Sequence, residues 1–231
     1  MKKQDSLGDR MKRYEQVSRQ YLVKKMPVII RLDGKAFHTL TKRYATKPFD
    51  CAIMDAMSES AMVTLNALQG AKVAYIQSDE VTFLLTDYEN INTEAWFDYI
   101  VEKLVSISAA TMSVEFNGIY LNDLGAVFDS RAFNVPKEDV INNFLWRAKD
   151  WKRNSLQMYC RSHFSHKQLR DKKTEDMHNM LFDIGLNWTT DLTDREKNGR
   201  FIIKGCDGAF HIHDNILPTY DSIKEAIVQF L

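Results

Sequence analysis

Val73-Ala74-Tyr75-Ile76-Gln77-Ser78-Asp79-Glu80-Val81-Thr82-Phe83-Leu84-Leu85 holds two apolar runs separated only by a short polar link. Each run reads as a buried strand, and the tight connection predicts a hairpin of Ala71–Gln77 with Val81–Leu85. Buried strands rarely end in carboxylates that have neither a partner nor a cation, because desolvating such a charge is costly. A second block of the same kind lies upstream, where Arg31-Leu32-Asp33-Gly34 closes the apolar run Val28-Ile29-Ile30.

Working outward from the hairpin, residues 9–25 are charged and read as a helical arm before the first strand. Between that strand and the hairpin, Asp50–Leu68 carries Ile53, Met54, Met57, Ala61 and Leu65 at helical spacing and stops at Gly70. After the hairpin, Thr93 caps a predicted helix Glu94–Phe116, and a fourth strand follows at Ala126–Val135. Pro136 then introduces a long helix from Lys137 to about Cys160. The order is β-α-β-β-α-β, an α+β arrangement with both helices on one face of an antiparallel sheet. Strands one and three are neighbours in that topology, so Asp33 and Asp79 approach each other. Two converging carboxylates suit two divalent cations, the equipment of phosphoryl and nucleotidyl transfer. Adjacent strand residues point to opposite faces, so Asp79 is the expected ligand and Glu80 its support. Past Cys160, a helix at Thr174–Ile184, strands at Phe201–Lys204 and His211–His213 and a helix Ser222–Leu231 predict a smaller α+β elaboration.

Hydrophobic residues at 45% and charged residues at 27% of 231 fit a folded globular chain. No apolar stretch reaches the roughly 20 residues that span a bilayer, so no membrane partner is expected. The charged start Met1-Lys2-Lys3-Gln4-Asp5 does not read as a secretory signal. Cys51, Cys160 and Cys206 are odd in number and widely spaced, which suits a reduced cytoplasmic setting better than a disulfide framework. Net charge is zero, yet the nine Lys/Arg between Arg147 and Lys173 face only Asp150 and Asp171. Trp146, Trp151, Tyr159 and Phe164 lie among them. Such a segment suits a polyanion near a metal-loaded site, or a solvated helix face.

Several further residues bear on the site. Lys35, Phe37 and His38 follow Asp33-Gly34 and are placed to meet a triphosphate and a base; a plain Asp-Gly turn is the simpler reading of the block in isolation. Lys47-Pro48 offers a cation to phosphates or forms a surface turn. Trp146, Asp150 and Asn154 recur at four-residue spacing and share a helix face, with Arg147, Lys152 and Arg153 around them. Asp129 and Arg131 point the same way from the fourth strand, as an ion pair or as catalytic groups. Cys206, His211 and His213 lack a fourth zinc ligand.

Taken together, these blocks resemble one family, the tRNA-His guanylyltransferases and their relatives, the tRNA guanylyltransferase-like 3′-to-5′ polymerases. The matching pieces are Arg31-Leu32-Asp33-Gly34-Lys35-Ala36-Phe37-His38, Lys47-Pro48, Gln77-Ser78-Asp79-Glu80, Phe128-Asp129-Ser130-Arg131 and Trp146-Arg147-Ala148-Lys149-Asp150 with Arg153-Asn154. They run in order from residue 31 to residue 154, and Arg10-Met11-Lys12-Arg13-Tyr14-Glu15 also looks like the family.

The resemblance implies a polymerase/cyclase-like palm within residues 1–136, with the N-terminal arm. Residues 137–231 would then be the long basic helix and the C-terminal elaboration packed on that palm. It implies that a tRNA 5′ end is activated with ATP, or used as a triphosphate, and attacked by the 3′-hydroxyl of an incoming nucleotide such as GTP. By the same resemblance, Asp33, Asp79 and the Gly34 carbonyl would hold two Mg²⁺ ions, with Glu80 beside them in the catalytic set. Residues Asp33, Gly34, Lys35, Ala36, Phe37 and His38, with Lys47, Ser78, Asp79 and Asn154, would bind nucleotide. Arg147, Lys152 and Arg153 would meet tRNA. Where eukaryotic members carry His-Ile-Asn-Asn, this chain has Lys152-Arg153-Asn154-Ser155, similar to the bacterial, archaeal and phage-type branch. That favours templated repair of 5′-truncated tRNAs over dedicated addition of a single G to tRNA-His. A nucleotidyl cyclase on the same palm is the more distant reading. A homotetramer is implied by the resemblance alone.

Overall fold

The computed structural model describes residues 6–120 and 124–231; the charged start Met1–Asp5 lies outside the described residues. The first half contains α1 (Leu7–Gln16), β1 (Val28–Gly34), α2 (Phe37–Tyr44), α3 (Cys51–Ala67), β2 (Ala71–Gln77), β3 (Glu80–Leu85) and α4 (Val101–Ile119). β4 (Phe128–Asn134) and the long α5 (Lys137–Arg161) follow, then α6 (His166–Leu169), α7 (Thr174–Asp183), α8 (Trp188–Asp191) and α9 (Asp194–Asn198). β5 (Arg200–Lys204), β6 (Phe210–His213) and α10 (Tyr220–Ile227) close the chain.

The six strands form one antiparallel sheet in the order β4-β1-β3-β2-β5-β6. β1 therefore lies beside β3, as the βαββαβ reading requires. Alternation along the strands sorts their side chains into two cores. Val28, Ile30, Leu32, Ile76 and Phe83 pack with Met57 and Leu65 of α3 and with Met112 and Phe116 of α4. Ile29, Val73, Tyr75 and Leu84 pack on the opposite face with Val140, Ile141 and Phe144 of α5 and with Ile223 of α10. Burying each such side chain contributes about 1.5–3 kcal/mol. A third cluster, with Leu156 and Tyr159 of α5, Leu181 of α7 and Trp188 of α8, holds the C-terminal half of α5 in place.

Local chemistry explains the element ends that carry the site. Asp50 accepts from the Ile53 amide at 2.9 Å and starts α3. Gly70 ends the turn after α3 at φ +81°, with the Thr86 carbonyl oxygen 2.6 Å from where a Cβ would sit. The predicted helix Glu94–Phe116 begins later than its pattern suggests. Leu22 donates to the Tyr99 carbonyl at 3.0 Å and Val101 to the Gln20 carbonyl at 2.9 Å, so residues 99–101 are tied to the incoming N-terminal segment. Phe97, Asp98 and Tyr99 adopt left-handed φ values, and the α-helix starts only at Val101. The same pairing ends α1 early: Tyr21 forms a bridge with Ile100, and the predicted helical arm over 9–25 is helical only to Gln16. The terminal helix likewise gives way at Ile227 to a short 3₁₀ turn.

Candidate active site

Asp33 stands near the end of β1, opposite Glu80 of β3 on one side and Asp129 of β4 on the other. Directly opposed residues of antiparallel strands project from the same face, so three carboxylates form a row across the α5 side of the sheet. Two of the three have cationic partners. Arg147 of α5 grips Glu80 with both arms, Nε to Oε1 at 2.6 Å and Nη2 to Oε2 at 2.7 Å, and Gln77 Nε2 donates to Glu80 Oε1 at 3.0 Å. Arg131 donates to Asp129 at 3.2 Å on the exposed edge strand.

Asp33 and Asp79 differ from these two. Among the described residues, no Lys, Arg or His lies within ion-pair distance of either. Burial, and then the facing charge of Asp129, push the Asp33 carboxyl above the ordinary value. Burial also raises Asp79, with the charges of Asp33 and Glu80 adding to the effect and the Ser78 hydroxyl opposing it. Two carboxylates held near each other with raised proton affinity form a site that gains by binding positive charge.

The backbone fixes their relative position. The Gly34 amide donates to the Asp79 carbonyl at 3.0 Å, joining the end of β1 to the hairpin turn. Ser78 takes φ +48°, which lets the turn close in two residues. A Cβ on Gly34 would lie 2.2 Å from the Phe37 ring. That ring is buried against Phe116 and Phe128, with centroids 5.3 and 5.2 Å away.

Two cavities meet at Asp79. The larger, about 470 Å³, runs between β1, α2 and α3, with Gly34, Ala36, His38, Lys47 and Ser78 among its walls. The smaller, about 290 Å³, opens over the sheet beneath α5 and is lined by Asp33, Glu80, Arg147, Asn154 and Gln157 among others. Ser78, Asp79, Trp151, Met158 and Arg161 line both. The larger cavity is of the size that takes a drug-sized or nucleotide-sized ligand, and the smaller lies near the lower limit.

Most residues singled out from the sequence therefore border one connected space. Lys35 does not: it is exposed, outside the walls of both cavities, with its amide donating to the Val127 carbonyl at 2.8 Å. Arg147, expected to meet tRNA, lines the smaller cavity. Its side chain is 11% exposed and committed to Glu80 and Asp150. Lys152 and Arg153 are exposed, but Lys152 lies over the Trp188 ring and Arg153 pairs with Asp150. Asn154 lines the smaller cavity and donates to Asp150 at 3.4 Å. Sequence reasoning missed Gln157 and Met158, and noted Trp151 and Arg161 only as members of the basic segment, not as walls of the site. A signal was available: Arg147, Asp150, Asn154, Gln157 and Arg161 repeat at three- and four-residue steps, one polar stripe along α5. Trp151 Nε1 and Gln77 Oε1, both buried at these walls, have no hydrogen-bond partner among the described residues.

No cluster of three or more His, Cys, Asp or Glu side chains suited to a metal is present among the described residues. Mg²⁺ does not need one, since it keeps several waters and is held by one or two carboxylates together with substrate phosphates. The unpaired, mutually repelling Asp33 and Asp79 fit that donor set.

This sheet with its helices matches that of tRNA guanylyltransferase-like proteins, a class of nucleotide-transferring enzymes. The profile of one such family, Thg1: tRNAHis guanylyltransferase, matches residues 8–136, and the chain belongs to that family of nucleotidyltransferases. A bacterial tRNA(His) guanylyltransferase (Thg1)-like protein in complex with ATP superposes with a TM-score of 0.91 at 37% identity, over 97% of this chain and 99% of that one. A structure of such a bacterial protein in complex with GTP gives 0.82 at 33% identity, over the same shares of the two chains. In sequence, the tRNA(His) guanylyltransferase of Schizosaccharomyces pombe is 28% identical over 223 residues, 88% of this chain and 83% of the relative. No helix in the described residues is long and apolar enough to cross a membrane.

Proposed function

We propose that this protein adds nucleotides to the 5′ end of tRNA in the 3′-to-5′ direction, as a template-dependent repair enzyme. The observation that carries the reading is the unpaired Asp33–Asp79 pair at the junction of two cavities. Asp33, Asp79 and the Gly34 carbonyl would hold two Mg²⁺ ions, which when bound neutralise charge on the attacking and leaving oxygens. In the reaction, the 3′-hydroxyl oxygen of the incoming nucleotide bonds to the 5′ phosphorus of the RNA. The phosphorus–oxygen bond to the leaving group breaks, and AMP or pyrophosphate departs.

The chain's own contribution is positioning and charge. Ala36, Phe37 and His38 with Lys47 form the wall against which base and triphosphate rest. Ser78 and Asp79 close that wall, and Glu80, held by Arg147, keeps the hairpin in register beneath them. ATP and GTP as substrates are supported by the nucleotides bound to the two bacterial relatives. The Arg153-Asn154 form of the α5 motif favours repair over addition of a single G. A homotetramer in the cytoplasm completes the reading.

The test offers the protein full-length and 5′-truncated tRNAs with monophosphate or triphosphate ends, in Mg²⁺ with labelled nucleotide, and sequences the products. Extension of truncated tRNAs to full length, lost in Asp33→Ala and Asp79→Ala, is expected. Addition of one G to full-length tRNA-His alone would replace repair with dedicated guanylylation, and a cyclic nucleotide made without RNA would overturn both.

A further inference from the structure

Arg161 lines three cavities: the two that meet at Asp79 and a third of about 170 Å³ beyond the end of α5. This third cavity shares Gln157 with the carboxylate cavity and is otherwise walled by His166, Leu169, Arg170, Lys172 and Met177. Its frame is firm. Leu169 packs on the apolar cluster of α5, α7 and α8, and Met177 belongs to that cluster. The Lys172 amide donates to the Leu169 carbonyl at 3.2 Å, closing a turn that carries both Arg170 and Lys172. Among the described residues, Arg161 and Lys172 have no carboxylate within ion-pair distance, and Arg170 meets only the highly exposed Asp171 at 3.7 Å. Three cationic residues therefore line one small cavity with nothing but a solvated surface carboxylate against them.

The cavity is smaller than the range that takes a whole nucleotide, and its cationic lining suits an anion of phosphate size. Phosphate here has two sources, an RNA backbone or a nucleotide's triphosphate tail. The nucleotide-sized cavity already has Lys47 and His38 on its walls. The third cavity shares Gln157 with the carboxylate cavity and not with the nucleotide-sized one, and Asn154 and Arg161 are separated by about 10 Å of helix rise along α5. A polynucleotide whose 5′ end sits at Asp33 and Asp79 must leave the site, and Arg161 marks a cationic exit.

We propose that Arg161, Arg170 and Lys172 form a binding site for the backbone phosphates of the RNA strand just inside its reacting 5′ end. The inference rests on the proposed function, since it takes a polynucleotide 5′ end as the substrate. It assigns the basic character of residues 147–173 to the α6–α7 turn rather than to Arg147, Lys152 and Arg153, which are engaged within the protein.

The test compares the wild type with Arg170→Ala/Lys172→Ala and with the charge-keeping Arg170→Lys/Lys172→Arg. Dissociation constants are measured for a 5′-monophosphorylated RNA minihelix over a salt series, and for GTP at one salt concentration. Loss of both cations is expected to weaken the minihelix about tenfold or more and to reduce the salt slope by about 0.7–0.9 per lost phosphate contact. GTP affinity should be unchanged, and the charge-keeping variant should retain minihelix binding. Unchanged minihelix affinity and slope would overturn the site, and so would a loss confined to GTP. The two readings fail separately. A wild type that extends tRNA while the double variant binds normally sinks only this inference. A wild type that binds the minihelix through these cations but extends no RNA sinks only the proposed function.

Discussion

The Gly34 amide donates to the Asp79 carbonyl at 3.0 Å, so the strand that carries one carboxylate is bonded directly to the turn that carries the other. The distance between the two acids is thus set by backbone rather than by flexible side chains. Whatever moves Gly34 moves Asp79.

Gly34→Ala tests this link. The new methyl would overlap the Phe37 ring, which is packed too tightly against Phe116 and Phe128 to retreat freely. Overpacking of this kind costs about 1–3 kcal/mol. Thermal denaturation should show the loss, and nucleotide addition should fall further than stability alone accounts for.

Asp79→Asn should inactivate the enzyme and stabilise the metal-free protein. A carboxyl whose proton affinity rises on folding binds more protons in the native chain than in the unfolded one. Stability therefore falls as pH rises from its unfolded value of about 3.8 through the higher folded one. Above that folded value the burden is present, and the amide removes it. The melting temperature of Asp79→Asn should exceed that of the wild type at pH 7, by about 2–4 °C per kcal/mol relieved. The gap should narrow on acidification, and Mg²⁺ should raise the melting temperature of the wild type only. A variant that melts lower than the wild type throughout would contradict the repulsion.

The Arg147–Glu80 pair is 11% and 12% exposed. Breaking such a pair by deleting one partner leaves the other charge buried, at about 3–5 kcal/mol. Arg147→Ala and Glu80→Ala should each show a loss of that order by denaturant titration. The double variant should lose much less than the two single losses combined, because each already removes the same contact.

Tyr75 is fully buried, and its hydroxyl donates to the Asn198 carbonyl at 2.8 Å. Tyr75→Phe keeps the ring packing against Phe201 while leaving that carbonyl without its partner. A loss of about 1–3 kcal/mol is expected. Hydrogen exchange should quicken around α9 and β5 before it does in β1 or β3.

Most of the sheet was legible because its strands are short apolar runs with unmistakable ends, and the hairpin around Ser78-Asp79 fixed which strands are neighbours. The start of α4 was not, since its helical pattern runs back through Trp96 and Tyr99. Their place was decided by backbone bonds to Gln20 and Leu22, some 80 residues earlier, which no local pattern encodes. Asp33 and Asp79 stood out as charges at the ends of apolar runs. The Arg147–Glu80 pair was not legible: in a basic segment Arg147 reads like its neighbours, and only its place beside Glu80 separates it from them. Arg161 lies at the C-terminal end of α5, where the family motifs no longer reach.

β5 pairs with β2, and the hydroxyl of Tyr75 finds its acceptor 123 residues further along the chain. During synthesis at about 5–20 residues per second, β2 would therefore wait on the order of 6–25 s for its neighbour. For that interval Val73-Ala74-Tyr75-Ile76 would present an open, apolar strand edge, the kind that recruits other nascent chains. Slower translation through the second half lengthens this exposure, so expression yield should depend on codon choice between α4 and β5 more than on anything in the active site.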